Sequence, residues 1–221
     1  MAGMLSPSVM CADLLHLYDE ITKLDSLGVE FLHIDFMDNK FVPNITFDTN
    51  MVRSFKKAMK NIRRDIHIMA FEPQKYFDNM EISAGDMVSV HYEACEDVHS
   101  VLAEIRSRGA SPCLAISPDT PVGVVKDFMS EVEAFLLMTV YPGFAGQPLA
   151  PKSMERLAEL KSIVSASGKD IKIEVDGNVS WDHCVEMREN GADIFVAGSS
   201  SVYGQKYPLE EAVKVFYSLV K

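Results

Sequence analysis

The sequence predicts a single-domain (β/α)8 barrel, a TIM barrel of eight parallel strands, spanning residues 1–221. Three observations lead there. A glycine-punctuated unit recurs along the chain, a short apolar run follows each of those glycines, and polar side chains gather towards the ends of several runs. Gly28, Gly85, Gly109, Gly168 and Gly191 each precede such a run. Glycine suits the left-handed residue that ends a helix, and runs rich in Val, Ile and Phe suit strands. The intervals between these glycines, 57, 24, 59 and 23 residues, read as two, one, two and one repeats. Each repeat of about 27 residues is the size of a strand-helix pair.

The first strand is placed at residues 4–9. A helix follows from an N-cap near Asp13, with Leu14, Leu17, Ile21 and Leu24 spaced three, four and three apart to form one apolar stripe. Strands come next at 31–36, 65–69, 87–91, 113–116, 135–140, 171–176 and 194–197, eight in all. Strands alternating with helices force a parallel sheet. Eight units in 221 residues fit a closed barrel near the lower end of its size range. A doubly wound open sheet is the competing architecture. A barrel makes the sharper prediction, because its functional groups sit at the carboxyl ends of many strands.

Composition narrows the function classes. With 21 Lys plus Arg against 32 Asp plus Glu, the net charge of -11 argues against a nucleic-acid surface or an anionic membrane face as partner. An anionic ligand must therefore be held by local groups. The longest apolar stretch, 135–140, is far short of the roughly 20 residues that span a bilayer. Residues 1–5 show no signal-peptide pattern, so a cytoplasmic protein is expected. Cys11, Cys95, Cys113 and Cys184 lie far apart with no C-x-x-C pair, which indicates neither a disulfide scaffold nor a zinc ribbon.

The polar residues of the runs carry the functional signal. His33 and Asp35 lie two apart on one face of the second strand, where polar groups are costly unless paired. His67 ends the third strand and Asp176 closes the seventh. Taken singly, a strand histidine is an ordinary core residue and a strand-end aspartate an ordinary helix cap. Together, two imidazoles and two carboxylates from three strands are a ligand set for one ion such as zinc, iron(II), manganese or cobalt. His16, His99 and His183 fall on helices and read as surface residues. His91 and Glu93 end the fourth strand and read as outer-sphere or rim groups.

Met37, Met69 and Met138 fall at or just after strand ends, either as gap-filling core or as an apolar wall over a reactive intermediate. Glycine-rich loops follow the last three strands at 142–148, 176–178 and 198–201. Such loops present backbone N–H groups to a phosphate in many barrels, although ordinary turns use the same residues. The 142–148 loop is either a rigid turn or, through its glycines, a segment that closes over a substrate.

On these residues the sequence resembles the ribulose-phosphate 3-epimerase family over nearly its whole length. The resemblance is carried by Ser6-Pro7-Ser8, His33-Ile34-Asp35-Phe36-Met37-Asp38, Phe41-Val42-Pro43-Asn44, His67-Ile68-Met69, Met138-Thr139-Val140-Tyr141-Pro142-Gly143-Phe144, Glu174-Val175-Asp176-Gly177 and Ala197-Gly198-Ser199. It implies an isomerase that inverts carbon 3 of a ketose phosphate through an enediolate. It implies one divalent metal ion per chain, held by His33, Asp35, His67 and Asp176, with zinc first and iron(II), manganese, cobalt or magnesium as alternatives. Asp35 and Asp176 match the two acid/base groups. Ser8, Met37, Met69 and Met138 match substrate-contacting positions, Gly143 lies in the matched loop, and Gly146, Gly177, Gly198 and Ser199 match the phosphate site. The resemblance also implies self-association as a homo-oligomer.

Departures from the family pattern bear on the substrate. Asn39-Lys40 stands where the family has Gly-His, Asn178 replaces a glycine of the phosphate loop, and Ala145 replaces one in the 142–148 loop. Met10-Cys11 and the 142–148 string look more like the branch acting on D-allulose 6-phosphate, giving D-fructose 6-phosphate. That hexulose phosphate is the favoured expectation, and the pair D-ribulose 5-phosphate and D-xylulose 5-phosphate is the alternative. Phosphate-binding decarboxylases and aldolases use Asp-x-Lys-x-x-Asp at the second strand, and the stretch 33–38 lacks that lysine. A non-catalytic sugar-phosphate-binding barrel would have no need of two opposed carboxylates.

Overall fold

Alternate residues of a strand point to opposite faces of a sheet, so a closed parallel barrel has two separate interiors to fill. The computed structural model describes residues 2–204 and 207–221. Its strands are β1 (Met4–Pro7), β2 (Phe31–Met37), β3 (Arg63–Met69), β4 (Met87–His91), β5 (Ser111–Ile116), β6 (Ala134–Met138), β7 (Lys172–Asp176) and β8 (Ile194–Ala197). All pair in parallel in the order β1-β8-β7-β6-β5-β4-β3-β2, and a bridge from Ser8 to His33 joins the first two strands to close the barrel. The predicted strands are all present, within two residues at most boundaries.

The outward rows include Leu5, Ile34, Ile66, Val88, Leu114, Phe135, Val175 and Phe195, and they merge with helix residues into the larger apolar core. The inward rows supply a smaller one, built from Phe31, Met87, Cys113, Ala115, Leu136, Met138, Ile194 and Val196. In β2 all seven residues are buried, His33 and Asp35 among them. The outer ring comprises α1 (Leu17–Ser26), α2 (Thr49–Ser54), α3 (Val98–Ser107), α4 (Ser153–Ser167), α5 (Trp181–Glu189) and α6 (Leu209–Leu219). Side-chain caps start three of these: Asp48 accepts from the Met51 N–H, Asp97 from that of Ser100 and Ser180 from that of His183. The five punctuating glycines all take positive φ, between 69° and 102°, and Gly168 caps the end of α4 in that conformation.

Two expectations are corrected. Helix α1 begins at Leu17, a turn later than Asp13, and Leu14 is 55% exposed. The Asp13 carboxylate accepts the Leu15 N–H and contacts His16 Nδ1 at 2.7 Å, which favours a local turn over helix continuation. Nor does every unit hold a regular helix. The β3-to-β4 and β5-to-β6 connections contain 3-10 segments, Pro73–Tyr76 and Val122–Phe128. Pro73, and then Pro118, Pro121 and Gly123, weaken α-helix formation there.

One buried carboxylate fastens the lower rim. Asp25, at the end of α1, accepts the backbone N–H groups of Lys60 (3.3 Å), Asn61 (2.7 Å) and Ile62 (2.7 Å) where the chain enters β3. Burial works to raise its pKa, but these three donors together hold it below the usual carboxylate value. Replacing it, Asp25→Ala, is expected to cost about 1–3 kcal/mol in urea denaturation at neutral pH, because three backbone N–H groups, that of Ile62 buried, lose their acceptor. The depressed pKa sets the sign of the pH effect. The contribution is complete above the unfolded value of about 3.9 and is lost as pH falls through the lower folded value, so the gap between wild type and variant closes in acid.

Candidate active site

Parallel register brings the polar residues of the inward rows together at the carboxyl end of the barrel. Asp35 of β2 pairs with His67 of β3, and Asp176 ends β7 beside Met138 of β6. His33 Nε2 lies 3.4 Å from Asp35 Oδ1 and 4.0 Å from Asp176 Oδ2. His67 Nδ1 lies 3.4 Å from the same Asp35 oxygen and 3.6 Å from the same Asp176 oxygen. One ligand atom from each of the four residues falls within 4.8 Å of the others. His33 Nε2 and His67 Nδ1 are buried and have no hydrogen-bond partner among the described residues. Two lone pairs and two carboxylate oxygens facing one point fit a single divalent cation, so the donor set suits the group the sequence led us to expect.

Each of these side chains is held from behind. His33 Nδ1 contacts Asp65 Oδ2 at 2.6 Å, and the same oxygen accepts the Ser6 hydroxyl at 2.7 Å. Asp35 Oδ2 accepts the Ser8 hydroxyl at 2.5 Å. His67 Nε2 faces His91 Nε2 at 2.9 Å, and His91 Nδ1 contacts Glu93 Oε2 at 3.1 Å. Glu174 lies beneath, its Oε1 3.8 Å from His33 Nδ1. Burial, then the neighbouring Asp65 charge, pushes its carboxyl well above the ordinary range. Glu174 is therefore pushed towards its neutral form beside the Asp65 charge.

The two carboxylates at the mouth are driven apart. Burial raises Asp176 to about 6, with the Asp35 charge adding to the shift and His33 and His67 opposing it. Burial acts in the same direction on Asp35, yet His33 and His67 outweigh it and hold that carboxyl far below its usual value. Burial disfavours charge on His33, but Asp65 and Asp35 reverse the effect and raise its pKa well above that of a free imidazole. Positive charge at this point, whether a proton on His33 or a bound cation, offsets the acids around it.

Above these groups lies an open cleft. Ser8, Asp35, Asp176 and the three predicted methionines line it, and so do Gly143, Gly146, Gly177, Gly198 and Ser199. Met37, Met69 and Met138 are 2%, 1% and 3% exposed, so they form a fixed apolar wall. No Lys or Arg lines the cleft among the described residues. The 142–148 loop is tied down: Asn44 Nδ2 donates to the Gly143 carbonyl (2.7 Å), and Gln147 Nε2 donates to the carbonyls of Tyr141 (2.6 Å) and Phe144 (2.8 Å).

The departures from the family pattern take up definite positions. Asn39 and Asn178 both adopt positive φ, 58° and 46°, so each occupies a glycine-like conformation. Asp38 Oδ1 accepts the N–H groups of Lys40 and Phe41, which preserves the turn. Lys40 itself is exposed and is not among the residues that line the cleft. Asn178 Nδ2 donates to the Gln147 carbonyl and joins two of the glycine-rich loops.

The sequence reading missed Asp65, Glu174 and Ser6. Their signal was period two, since each lies two residues before His67, Asp176 or Ser8 on the same strand. His16 and His99 are exposed as expected. His183 is only half-buried and contacts the Asn178 carbonyl at 2.9 Å, so it supports a loop at the cleft rather than lying idle on the surface.

Polar and ionisable groups converging from several strand ends beneath glycine-rich loops define a barrel enzyme with its site at the carboxyl face. Comparison with known proteins gives the family. The model of the ribulose-phosphate 3 epimerase family matches residues 4–203. Ribulose-phosphate 3-epimerase of Bacillus subtilis is 36% identical over 201 residues, covering 90% of this chain and 92% of that protein. The enzyme of the same name from Methanocaldococcus jannaschii is 36% identical over 207 residues, covering 94% and 86%. The chain belongs to the ribulose-phosphate 3-epimerase family and is an isomerase of the epimerase class. Orotidine 5'-phosphate decarboxylase from Pyrococcus horikoshii superposes with a TM-score of 0.66 at 13% identity, covering 98% of this chain and 99% of that one, a likeness of fold alone.

Gly177, directly after Asp176, is the tightest point of the loops. Its φ is 121°, and a Cβ there would meet Val140 Cγ2 at 2.6 Å and the Val140 backbone N at 2.7 Å. The substitution Gly177→Ala is expected to destabilise the fold by about 1–3 kcal/mol or more, since both the φ and the contact are unfavourable for a side chain. Thermal denaturation of the variant measures this, and an unchanged melting curve would contradict the close approach.

Proposed function

We propose that this chain interconverts D-ribulose 5-phosphate and D-xylulose 5-phosphate by inverting carbon 3, with Asp35 and Asp176 as the catalytic acid/base pair. The observation that carries this reading is that two carboxylates from strands three positions apart around the barrel face one point, with their proton affinities pushed in opposite directions. Inversion needs one group to take the carbon-3 proton and another to return a proton to the opposite face. An ionised Asp35 is a base at neutral pH, and an Asp176 raised to about 6 is poised to give up or receive a proton. The reverse reaction exchanges the two roles. The product is an isomer of the substrate, so no net redox step is required.

The remaining residues orient the substrate and exclude water. His33 Nε2, Asp35 Oδ1, His67 Nδ1 and Asp176 Oδ2 would hold one divalent ion, with zinc the first expectation for two imidazoles and two carboxylates. When bound, that ion supplies positive charge that stabilises the negative charge developing on the substrate's oxygens. The Ser8 hydroxyl donates to Asp35 and keeps the other carboxylate oxygen turned towards the site. Met37, Met69 and Met138 keep water from the enediolate. Backbone N–H groups of the 176–178 and 198–201 loops hold the phosphate. This reading is supported by the cleft's lack of Lys and Arg among the described residues, which leaves backbone dipoles for the dianion.

The hexulose phosphate reading rests on Met10-Cys11 and the 142–148 string, while the curated relatives carry the pentulose phosphate name. Comparison of kcat/KM for D-ribulose 5-phosphate and D-allulose 6-phosphate decides between them, and a higher value for the hexulose phosphate would overturn the pentulose assignment. Asp35→Asn and Asp176→Asn are each expected to lower kcat by about 100- to 10,000-fold or more. In deuterated water the wild type is expected to place solvent deuterium at carbon 3. Full activity in either variant would remove that residue from the acid/base role. Elemental analysis is expected to find one divalent ion per chain.

A further inference from the structure

The lone pair on His67 Nδ1 is not an automatic property of a histidine beside two acids. Asp35 Oδ1 and Asp176 Oδ2, at 3.4 and 3.6 Å, would draw a proton onto Nδ1, and a protonated Nδ1 cannot bind a cation. Something must hold the proton on the other nitrogen. The hydrogen bonds behind His67 do so.

The chain of donors begins at a group that has no choice. The Ser117 backbone N–H can only donate, and it donates to Glu93 Oε1 at 2.9 Å, where the Thr120 hydroxyl also donates. Glu93 acts as acceptor there, and its other oxygen, Oε2, lies 3.1 Å from His91 Nδ1, nearer than the Ser117 hydroxyl at 3.4 Å. His91 Nδ1 must then carry a hydrogen, which makes the Nε2 of a neutral His91 an acceptor. That nitrogen faces His67 Nε2 at 2.9 Å. The two ring planes differ by only 25° and their centroids are 5.0 Å apart, so the nitrogens meet nearly edge to edge. One proton fits between them, and it belongs to His67. The loop carrying Ser117 and Thr120 is itself fixed, because Arg156 of α4 donates to the carbonyls of Thr120 (2.8 Å) and Ser117 (3.0 Å).

We propose that Glu93 and His91 are positioning residues that hold His67 in the Nε2–H tautomer and so keep Nδ1 free to bind the cation. The proposal rests on the assignment of His33, Asp35, His67 and Asp176 as the cation site. It extends that site from four side chains to a polar chain reaching α4. Neither Glu93 nor His91 lines the cleft, so their effect passes through His67.

The discriminating substitution is Glu93→Gln, which keeps size and shape but adds donors. Satisfying the Ser117 N–H requires the amide oxygen to face Ser117, and the amide NH2 then faces His91 Nδ1. His91 becomes an acceptor there and a donor at Nε2, which moves the proton of His67 to Nδ1. Two-bond 1H–15N correlation spectra of metal-free protein read the tautomer directly. The wild type is expected to show hydrogen on His67 Nε2, and Glu93→Gln to show it on Nδ1. Zinc affinity, measured by competition with a chelating dye, is expected to fall about 10- to 100-fold in Glu93→Gln. Glu93→Asp, which keeps the carboxylate, is expected to retain the wild-type tautomer and to bind zinc more tightly than Glu93→Gln.

A wild-type His67 with hydrogen on Nδ1 would overturn the proposal, as would a Glu93→Gln variant with unchanged tautomer and zinc affinity. Should Glu93→Gln fail to fold, the wild-type spectrum and Glu93→Asp still decide the matter. A wild type that shows the expected tautomer but binds no zinc, cobalt or manganese would sink the cation site itself while leaving the hydrogen-bond assignment standing.

Discussion

Two carboxylates and two imidazoles crowded into the barrel mouth set the terms for everything around them. Two ionised acids whose oxygens lie within 4.8 Å of each other repel by about 3 kcal/mol or more at an effective dielectric constant of about 20. The protein does not relieve this by separating them. It surrounds them with groups that favour positive charge at the shared point and lets their proton affinities diverge, Asp35 downward and Asp176 upward. The same stress reaches the next layer, where Asp65 and Glu174 lie together and the second retains its proton. The divergence that makes the site costly to fold is also what gives it one base and one acid.

Such a cost is borne by the other face of the same strands. The outward rows join the helices in the larger apolar core, and that core does not include His33, Asp35, His67 or Asp176. Because side chains alternate, β2 can offer Ile34 and Phe36 to the helices while turning His33 and Asp35 inward. Stability and chemistry are thus carried by interleaved residues of one segment. The smaller inward core, with Leu136, Met138 and Val196, then serves as the floor and wall of the site.

How much of this was legible beforehand depended on the range of the physics involved. Most of the strands were readable because their buried runs are largely apolar on the outward row, and five of them follow a glycine, a local signal. The ligand set was readable because His33 and Asp35 violate that pattern together. The start of α1 was misplaced because Asp13 is as good a turn former as a helix cap, and its contact with His16 chose the turn. The 3-10 connections were missed because the repeat length survives when Pro and Gly replace a helix by a tighter segment. Asp65 and Glu174 were hidden for a different reason. Their alternation with His67 and Asp176 was visible, but the pressure of the Asp65 charge on the Glu174 carboxyl exists only once β3 and β7 are brought together.

The supports of the two imidazoles differ, and the register explains why. The inward neighbour of His33 across the β2–β3 pair is Asp65, so a carboxylate meets Nδ1 directly. The corresponding neighbour of His67 across the β3–β4 pair is Ser89, which brings no carboxylate. A carboxylate at that level would add another negative charge to a layer that already holds Asp65 and Glu174. Instead the next inward residue of β4, His91, reaches His67, and the charge that fixes it is displaced to Glu93, past the end of β4. Inserting an imidazole between carboxylate and ligand keeps the orienting hydrogen bond while moving the negative charge away. In a site already limited by repulsion among acids, a relay of this kind orients the second histidine without deepening the imbalance that the cation must offset.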